Sequence, residues 1–261
     1  MGSLEGKVAI VTGAARGNGE AIARVIAREG GIVILTDILD LVFETAKDIG
    51  GTAEAYKMDV TSREDIHRVV TEVAEKHGHI DIMVNNAGIS KPVPFLECSD
   101  ESRDAHLKVM LLSSWVCCQE VLPYMVKQHY GRIVSISSVT GPITGEPGSS
   151  AYAMCKAGLI GLTKNLALEF AQDGITVNAI MPGYIRTSMV ESVIEESNPG
   201  HGEEAIAAMG REIPVQRLGR PVEIGELVAF LASDKVGYLT GEAIVIDGGN
   251  QLVENHFMGT K

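Results

Sequence analysis

By Asp37 the chain has committed itself to one kind of architecture. The apolar run Val8-Ala-Ile-Val11 ends in Thr12-Gly-Ala-Ala-Arg-Gly-Asn-Gly19, after which Ala21, Ile22, Val25 and Ile26 recur at helical spacing. A short apolar run closed by glycine reads as a strand buried on both faces, and the 3.6-residue period after it reads as a helix. Ile32-Val-Ile-Leu-Thr36 supplies a second strand, closed by Asp37. Strand, glycine turn, helix and strand in that order predict a βαβ unit with parallel strands. Helix N-terminal amides beside Gly17 and Gly19 would face an anion, and the missing side chains let a pyrophosphate approach the backbone. Asp37 lies about eighteen residues beyond Gly19, near the spacing at which a strand-end carboxylate meets the ribose of a dinucleotide.

The alternation continues along the chain. Ala55 to Met58 reads as a third strand ending at Asp59-Val60, Ile66, Val69, Val70 and Val73 as a helical stripe, and Ile82-Met-Val84 as a fourth strand closed by Asn85-Asn-Ala-Gly88. Two asparagines at a buried strand end need hydrogen-bond partners, so they pin neighbouring strands, meet a ligand, or both. A long helical pattern starts at Asp100 and runs through Leu107, Leu111 and Trp115 to Leu122-Pro123. Arg132 to Ser138 is the fifth strand, Thr176 to Ile180 the sixth and Ala243 to Ile246 the seventh, with a last helix at Glu223 to Ala232. Between them, Tyr184 to Pro214 is polar, broken and without a strand pattern; it reads equally as a flap over a pocket and as a surface excursion. Strands alternating with helices predict an α/β fold, a doubly wound parallel sheet of about seven strands with helices on both faces. No linker or repeat interrupts it, so residues 1–261 are expected to form one domain with a flap at about 184–214. The glycine turn, Asp37, Asp59, Asn85, Ser138 and Pro182 all fall at carboxyl ends of strands, where ligands of such sheets sit.

One pair in the second half carries acid–base chemistry. Tyr152 and Lys156, four residues apart in a segment of helical composition, stand on one helix face. An ammonium ~4 Å from a phenol in a surface-like dielectric contributes about 4 kcal/mol of attraction to the phenolate. The pair is therefore expected to bring a tyrosine with an ordinary pKa near ~10 toward neutral pH. The same spacing arises by chance in amphipathic helices, so its weight depends on its neighbours.

With these residues together, Thr12-Gly13-x-x-x-Gly17-x-Gly19, Asn85-Asn-Ala-Gly88, Ser138, Tyr152-x-x-x-Lys156 and Pro182-Gly183, the chain resembles the classical short-chain dehydrogenase/reductase family over essentially its whole length. The resemblance implies a Rossmann-type sheet, a nicotinamide cofactor, and hydride exchange between a secondary alcohol and a carbonyl. It implies Tyr152 as the proton carrier, Lys156 as the residue that holds the nicotinamide ribose and lowers the tyrosine pKa, and Ser138, with Ser137 as its rival, as the hydrogen-bond donor to substrate oxygen. Cofactor contacts are implied at Gly13, Arg16, Asn18 and Gly19, at Asp37 and Ile38, at Asp59 and Val60 around the adenine, and at Asn86, Ala87 and Gly88. Further contacts are implied at Tyr152, Lys156, Pro182, Gly183, Ile185 and Thr187. A homotetramer pairing through the long helices near Trp115 and Phe170 is implied as well.

Three departures from the family pattern stand out. Met110 occupies the position where an asparagine usually helps hold a water that links the lysine to solvent, and a thioether cannot donate that bond. The alternative to an active enzyme is therefore a cofactor-binding relative with weak or no turnover. Asn18 replaces a small apolar residue, commonly isoleucine, and either contacts cofactor or caps the helix. The Ser138 to Tyr152 interval is one residue longer than the family pattern, an excess expected in the Gly141 to Gly148 turn. For the cofactor, Asp37 accepts from a ribose 2′-hydroxyl and repels a 2′-phosphate, which favours NAD; Arg16 pulls toward the phosphate, while Ile38 adds no second charge. An NADPH-dependent 3-oxoacyl reductase is the remaining possibility.

Charge and composition bound the rest. A formal net charge of −12 disfavours nucleic acids, acidic carrier proteins and anionic membranes as partners. Cys98, Cys117, Cys118 and Cys155 lack C-x-x-C spacing, so no metal site or disulfide framework is expected. The first strand starts too early for a leader, and the uncharged segment Val109 to Gln119 is short for a membrane span, so a cytoplasmic protein acting on a small molecule is expected.

Overall fold

The computed structural model describes residues 2–252 apart from Asn198; the side chains of Met189, Val193 and Glu196 lie outside the description. Seven strands form one parallel sheet: β1 (Val8–Thr12), β2 (Ile32–Asp37), β3 (Ala53–Lys57), β4 (Ile82–Asn85), β5 (Gly131–Ile136), β6 (Ile175–Pro182) and β7 (Ala243–Ile246). Their order is β3-β2-β1-β4-β5-β6-β7, so the direction of winding reverses between β1 and β4. β1, β4, β5 and β6 are buried throughout, as expected for strands that read as near-continuous apolar runs.

The helices are α1 (Gly17–Arg28), α2 (Leu41–Ile49), α3 (Arg63–His77), α4 (Asp100–His106), α5 (Ser113–Gln128), α6 (Ser150–Phe170), α7 (Ser188–Ser197), α8 (Gly202–Arg211) and α9 (Pro221–Ala232). One face of the sheet is covered by α1, α2 and α9, through Ile22, Ile26, Val42, Ile224 and Val228. The other is covered by α3, α5 and α6, through Ile66, Val69, Val121, Met125 and Ala167. Local chemistry sets the ends: the Ser62 hydroxyl accepts from the Asp65 amide at the start of α3, Gly78 ends it with φ 81°, and Pro221 opens α9.

Two segments differ from the sequence expectation. Residues 100–128 form one helical run, α4 and α5 being joined through a π-turn at Leu107–Leu112. This run is long and apolar enough by composition to cross a membrane, yet Cys117, Cys118, Val121, Leu122 and Met125 are packed into the core. The second is 184–214, which carries α7 and α8. Their apolar residues, Ile194 and Ile206, pack with Ile213 and Leu218 in a small cluster separate from both main cores.

Candidate functional site

A cavity of about 720 Å³ opens at the carboxyl ends of the strands, beside the β1/β4 reversal where ligands of open α/β sheets sit. The glycine turn forms its floor. Gly13 has φ 64°, and a Cβ there would lie 2.8 Å from the Ala87 Cα, so β1 and the loop after β4 come together only because that side chain is missing. The Asn86 amide closes the contact by donating to Thr12 O (2.9 Å) and Gly13 O (3.1 Å). The Thr12 hydroxyl accepts from the amides of Asn86 and Ala87 at 3.0 and 3.1 Å. Asn85 points the other way, with Nδ2 3.3 Å from the Ser135 hydroxyl on β5. Both asparagines pin strands, and Asn86 also lines the cavity.

Of the expected cofactor contacts, Gly13, Arg16, Asn18, Asp37, Ile38, Asp59, Val60, Asn86, Ala87, Gly88, Tyr152, Lys156, Pro182, Gly183, Ile185 and Thr187 line the cavity. Gly19 does not. A Cβ there would lie 2.1 Å from Gly13 O and 2.7 Å from Asn86 Nδ2, so this glycine serves helix-to-turn packing beneath the floor. Wall residues that the sequence left unmarked include Leu39, Ile89, Ser90 and Val109. Each is an ordinary residue one or two positions past a marked strand end or on the long helix, and only the folded path brings them in.

Asp37 is fixed by backbone donors: Oδ2 accepts from the Ala15 amide and Oδ1 from the Leu39 amide, both at 3.0 Å. A carboxylate has about four acceptor sites, so capacity for a ligand hydroxyl remains. Asp59 accepts from the amide and hydroxyl of Thr61, each at 2.8 Å, and so acts as a wall. Arg16 is exposed and makes no ion pair among the described residues.

At the opposite end, Ser138, Tyr152 and Lys156 share the cavity wall. Of the two serines, Ser137 donates its hydroxyl to the Lys156 carbonyl at 2.8 Å, tying the end of β5 to α6. Ser138 instead interacts with the Tyr152 hydroxyl, and it accepts from the Thr140 amide at 3.1 Å. Lys156 is 5% exposed, donates from Nζ to Ile136 O at 2.7 Å, and has Nζ 5.4 Å from the Tyr152 ring centroid. In the turn before α6, Gly141 has φ 109°, and a Cβ there would lie 2.3 Å from Ala153 O.

The electrostatics correct one expectation. Burial raises the Tyr152 phenol above its ordinary value, the Ser138 hydrogen bond opposes this, and the Glu146 charge adds to it. Burial likewise brings the Lys156 ammonium down to about 8, against a smaller contribution from Cys155. The pair is expected from its spacing to behave as if at a surface, whereas desolvation by burial is the largest cause of both shifts.

Met110 is 1% exposed, and its sulfur would lie 3.6 Å from a Cβ on Gly88. It lies within the π-turn, where its carbonyl accepts from the Ser114 hydroxyl at 2.7 Å and the Val109 carbonyl accepts from the Ser113 hydroxyl at 2.7 Å. Carbonyls displaced from regular α-helical pairing are thus satisfied by serine side chains. Among the described residues, no group of three or more His, Cys, Asp or Glu side chains is placed to hold a metal ion.

The sheet, the cavity at its reversal point and the Ser–Tyr–Lys wall define a dinucleotide-dependent oxidoreductase class, and comparison with known proteins agrees. The family model described as enoyl-(acyl carrier protein) reductase matches residues 13–251. An oxidoreductase, UcpA, of Salmonella typhimurium is 48% identical over 262 residues, covering 99% of this chain and 100% of that one. The 3-oxoacyl-[acyl-carrier-protein] reductase FabG of Thermotoga maritima is 43% identical, covering 94% and 98%. The crystal structure of an actinorhodin polyketide ketoreductase variant with NADPH superposes with a TM-score of 0.89 at 33% identity, covering 95% of this chain and 98% of that one. The chain belongs to the short-chain dehydrogenase/reductase family, an oxidoreductase family that binds a nicotinamide cofactor. The residues present fit such a group: a glycine floor at a helix N-terminus, a carboxylate fixed at one end, and a buried amide oxygen of Asn18 that lacks any partner.

Proposed function

We propose that this protein interconverts a secondary alcohol and a ketone with NAD(H), using Tyr152 as the acid and base. The observation that carries the reading is one cavity with Asp37 fixed at one end and Ser138, Tyr152 and Lys156 on the wall of the other. The bound nicotinamide supplies or accepts the hydride. The Ser138 hydroxyl donates to the substrate oxygen and orients it toward the Tyr152 hydroxyl. In ketone reduction Tyr152 gives up its proton as the oxygen gains charge, and burial suits this role because it keeps the phenol protonated at neutral pH. In alcohol oxidation Tyr152 must first lose that proton. Lys156 compensates the resulting charge from below, anchored on Ile136 O. Oxidation should therefore rise with pH as Tyr152 gives up its proton, with the rise blunted above about 8, where Lys156 loses the charge that compensates the phenolate.

NAD is the preferred cofactor in this reading because the Asp37 carboxylate is held rigidly by two amides, where a 2′-phosphate would meet its charge. A second reading, an NADPH-dependent 3-oxoacyl reductase, is favoured by the unpaired Arg16 and by the FabG relative. The protein is proposed to act in the cytoplasm as a homotetramer. Leu112, Trp115 and Leu168, exposed on the long helices, are the apolar surface available for pairing.

Initial rates with a panel of secondary alcohols and ketones, each with NAD(H) and NADP(H), test the proposal. Turnover with at least about tenfold preference for NAD(H) is expected, the size of a lost charge-assisted contact. Preference for NADPH with acyl-carrier substrates would support the second reading, and tight NAD binding without turnover on any substrate would support a non-catalytic relative.

A further inference from the structure

Asn18 stands in the first turn of α1, on the cavity wall. It is not the N-cap residue, which is Arg16, and among the described residues its Oδ1 has no hydrogen-bond partner. Its Oδ1 is buried and unpartnered. A buried acceptor without a donor is costly, and native proteins seldom leave one without a reason. The nearby amide that could serve, Asn86 Nδ2, is committed to Thr12 O and Gly13 O. A ligand in this cavity that carries an N–H or O–H donor would satisfy it.

Position within the cavity says which donor. A Cβ on Gly17, the residue before Asn18, would lie 3.8 Å from the Thr187 methyl and Cβ. Gly17 thus borders Thr187, and Asn18 follows it on the wall of the same cavity. The Thr187 hydroxyl accepts from the Val190 amide at 3.3 Å and keeps its own proton free to donate. An acceptor at Asn18 and a donor at Thr187 complement a primary carboxamide, which has one N–H side and one C=O side.

We propose that Asn18 is a positioning residue for the nicotinamide carboxamide: Oδ1 accepts from its NH2 group and fixes the rotation of the ring. The inference rests on the nicotinamide reading of the site and adds a role for a side chain where the family commonly has a hydrocarbon.

Calorimetric titration of the full chain with NAD and with 3-acetylpyridine adenine dinucleotide, in which methyl replaces the amide NH2, tests it without turnover. The wild type should prefer NAD by about tenfold, the size of one well-made hydrogen bond to a buried acceptor. Asn18→Leu should bring that preference to within about twofold, whereas Asn18→Asp, which keeps an acceptor, should retain it even if both affinities fall. An equal preference in the wild type and Asn18→Leu would overturn the proposal. So would loss of both affinities in Asn18→Asp with no change in their ratio in Asn18→Leu, which would place the Asn18 amide N–H on the pyrophosphate instead. A wild type that binds neither dinucleotide would overturn the cofactor reading itself, so the two failures are distinguishable.

Discussion

The two ends of the parallel strands use similar polar residues to opposite effect. At the amino ends, Asp81 Oδ2 accepts from the Val8 amide at 2.8 Å and meets His79 Nδ1 at 2.7 Å. Gln128 donates to Ile80 O and Tyr130 O, each at 2.8 Å, while Arg132 donates to the carbonyls of Gly131 and Gly174 at 2.9 and 3.1 Å. The Tyr130 ring lies between two cations, with Lys7 Nζ 3.5 Å and the Arg132 guanidinium 4.3 Å from its centroid. Burial pushes the Tyr130 phenol up, as it does Tyr152. At the carboxyl ends, among the described residues, Asn18 Oδ1 has no hydrogen-bond partner and Lys156 has one carbonyl for a buried ammonium. Both ends leave a buried polar atom unpaired among the described residues, Tyr130 Oη and Arg132 Nε at one and Asn18 Oδ1 at the other. The difference is that the amino-end side chains mostly bond to the backbone of neighbouring segments, whereas Asn18 and Lys156 line the cavity.

Substitutions can break or sharpen this contrast. Lys156→Met should have the largest effect, abolishing measurable turnover while raising the melting temperature by a few degrees at pH 7, read by steady-state assay and calorimetry. The sign follows from linkage: the unfolded lysine keeps its proton to about 10.5 and the folded one releases it near 8, so the wild type gains stability as pH rises between these values. The variant should lack that rise. Asp81→Ala should do the reverse, destabilising the chain by about 2 to 3 kcal/mol in urea titration by stranding a buried amide and an imidazole, with kcat of the folded fraction unchanged. Asp37→Ser should leave stability within about 0.5 kcal/mol and shift the NAD to NADP preference by about tenfold or more toward NADP, read from kcat/KM. The smallest effect belongs to Met110→Asn. If proton exchange through this helix limits oxidation, turnover should rise a few-fold; an unchanged rate would show that the Met110 side chain is not on the limiting path.

Much of the carboxyl edge was legible in the sequence because strand-end chemistry is local. Asp37, Asn85, Asn86, Ser138 and Pro182 each close an apolar run, and their neighbours alone mark them. Helices α7 and α8 were not legible, since Ile194, Ile206, Ile213 and Leu218 bury mostly against one another, which leaves no stripe matched to the main cores. The place of Gly19 was hidden for a related reason: spacing equates it with Gly13 and Gly17, whereas a Cβ on it would lie 2.1 Å from Gly13 O, behind the cavity wall. The direction of the Tyr152 pKa was also out of reach. Tyr-x-x-x-Lys spacing states how close two groups lie along a helix and says nothing of how much water the fold removes from both.

The most direct measurement pairs NAD titration with turnover in Tyr152→Phe, which deletes one hydroxyl from the shared wall. Affinity for NAD should stay within about threefold of the wild type while turnover falls by about a thousandfold, as expected when a general acid–base group is removed. Turnover within about tenfold of the wild type, with NAD still bound, would contradict Tyr152 as the proton carrier and with it the assignment of the cavity's reacting end.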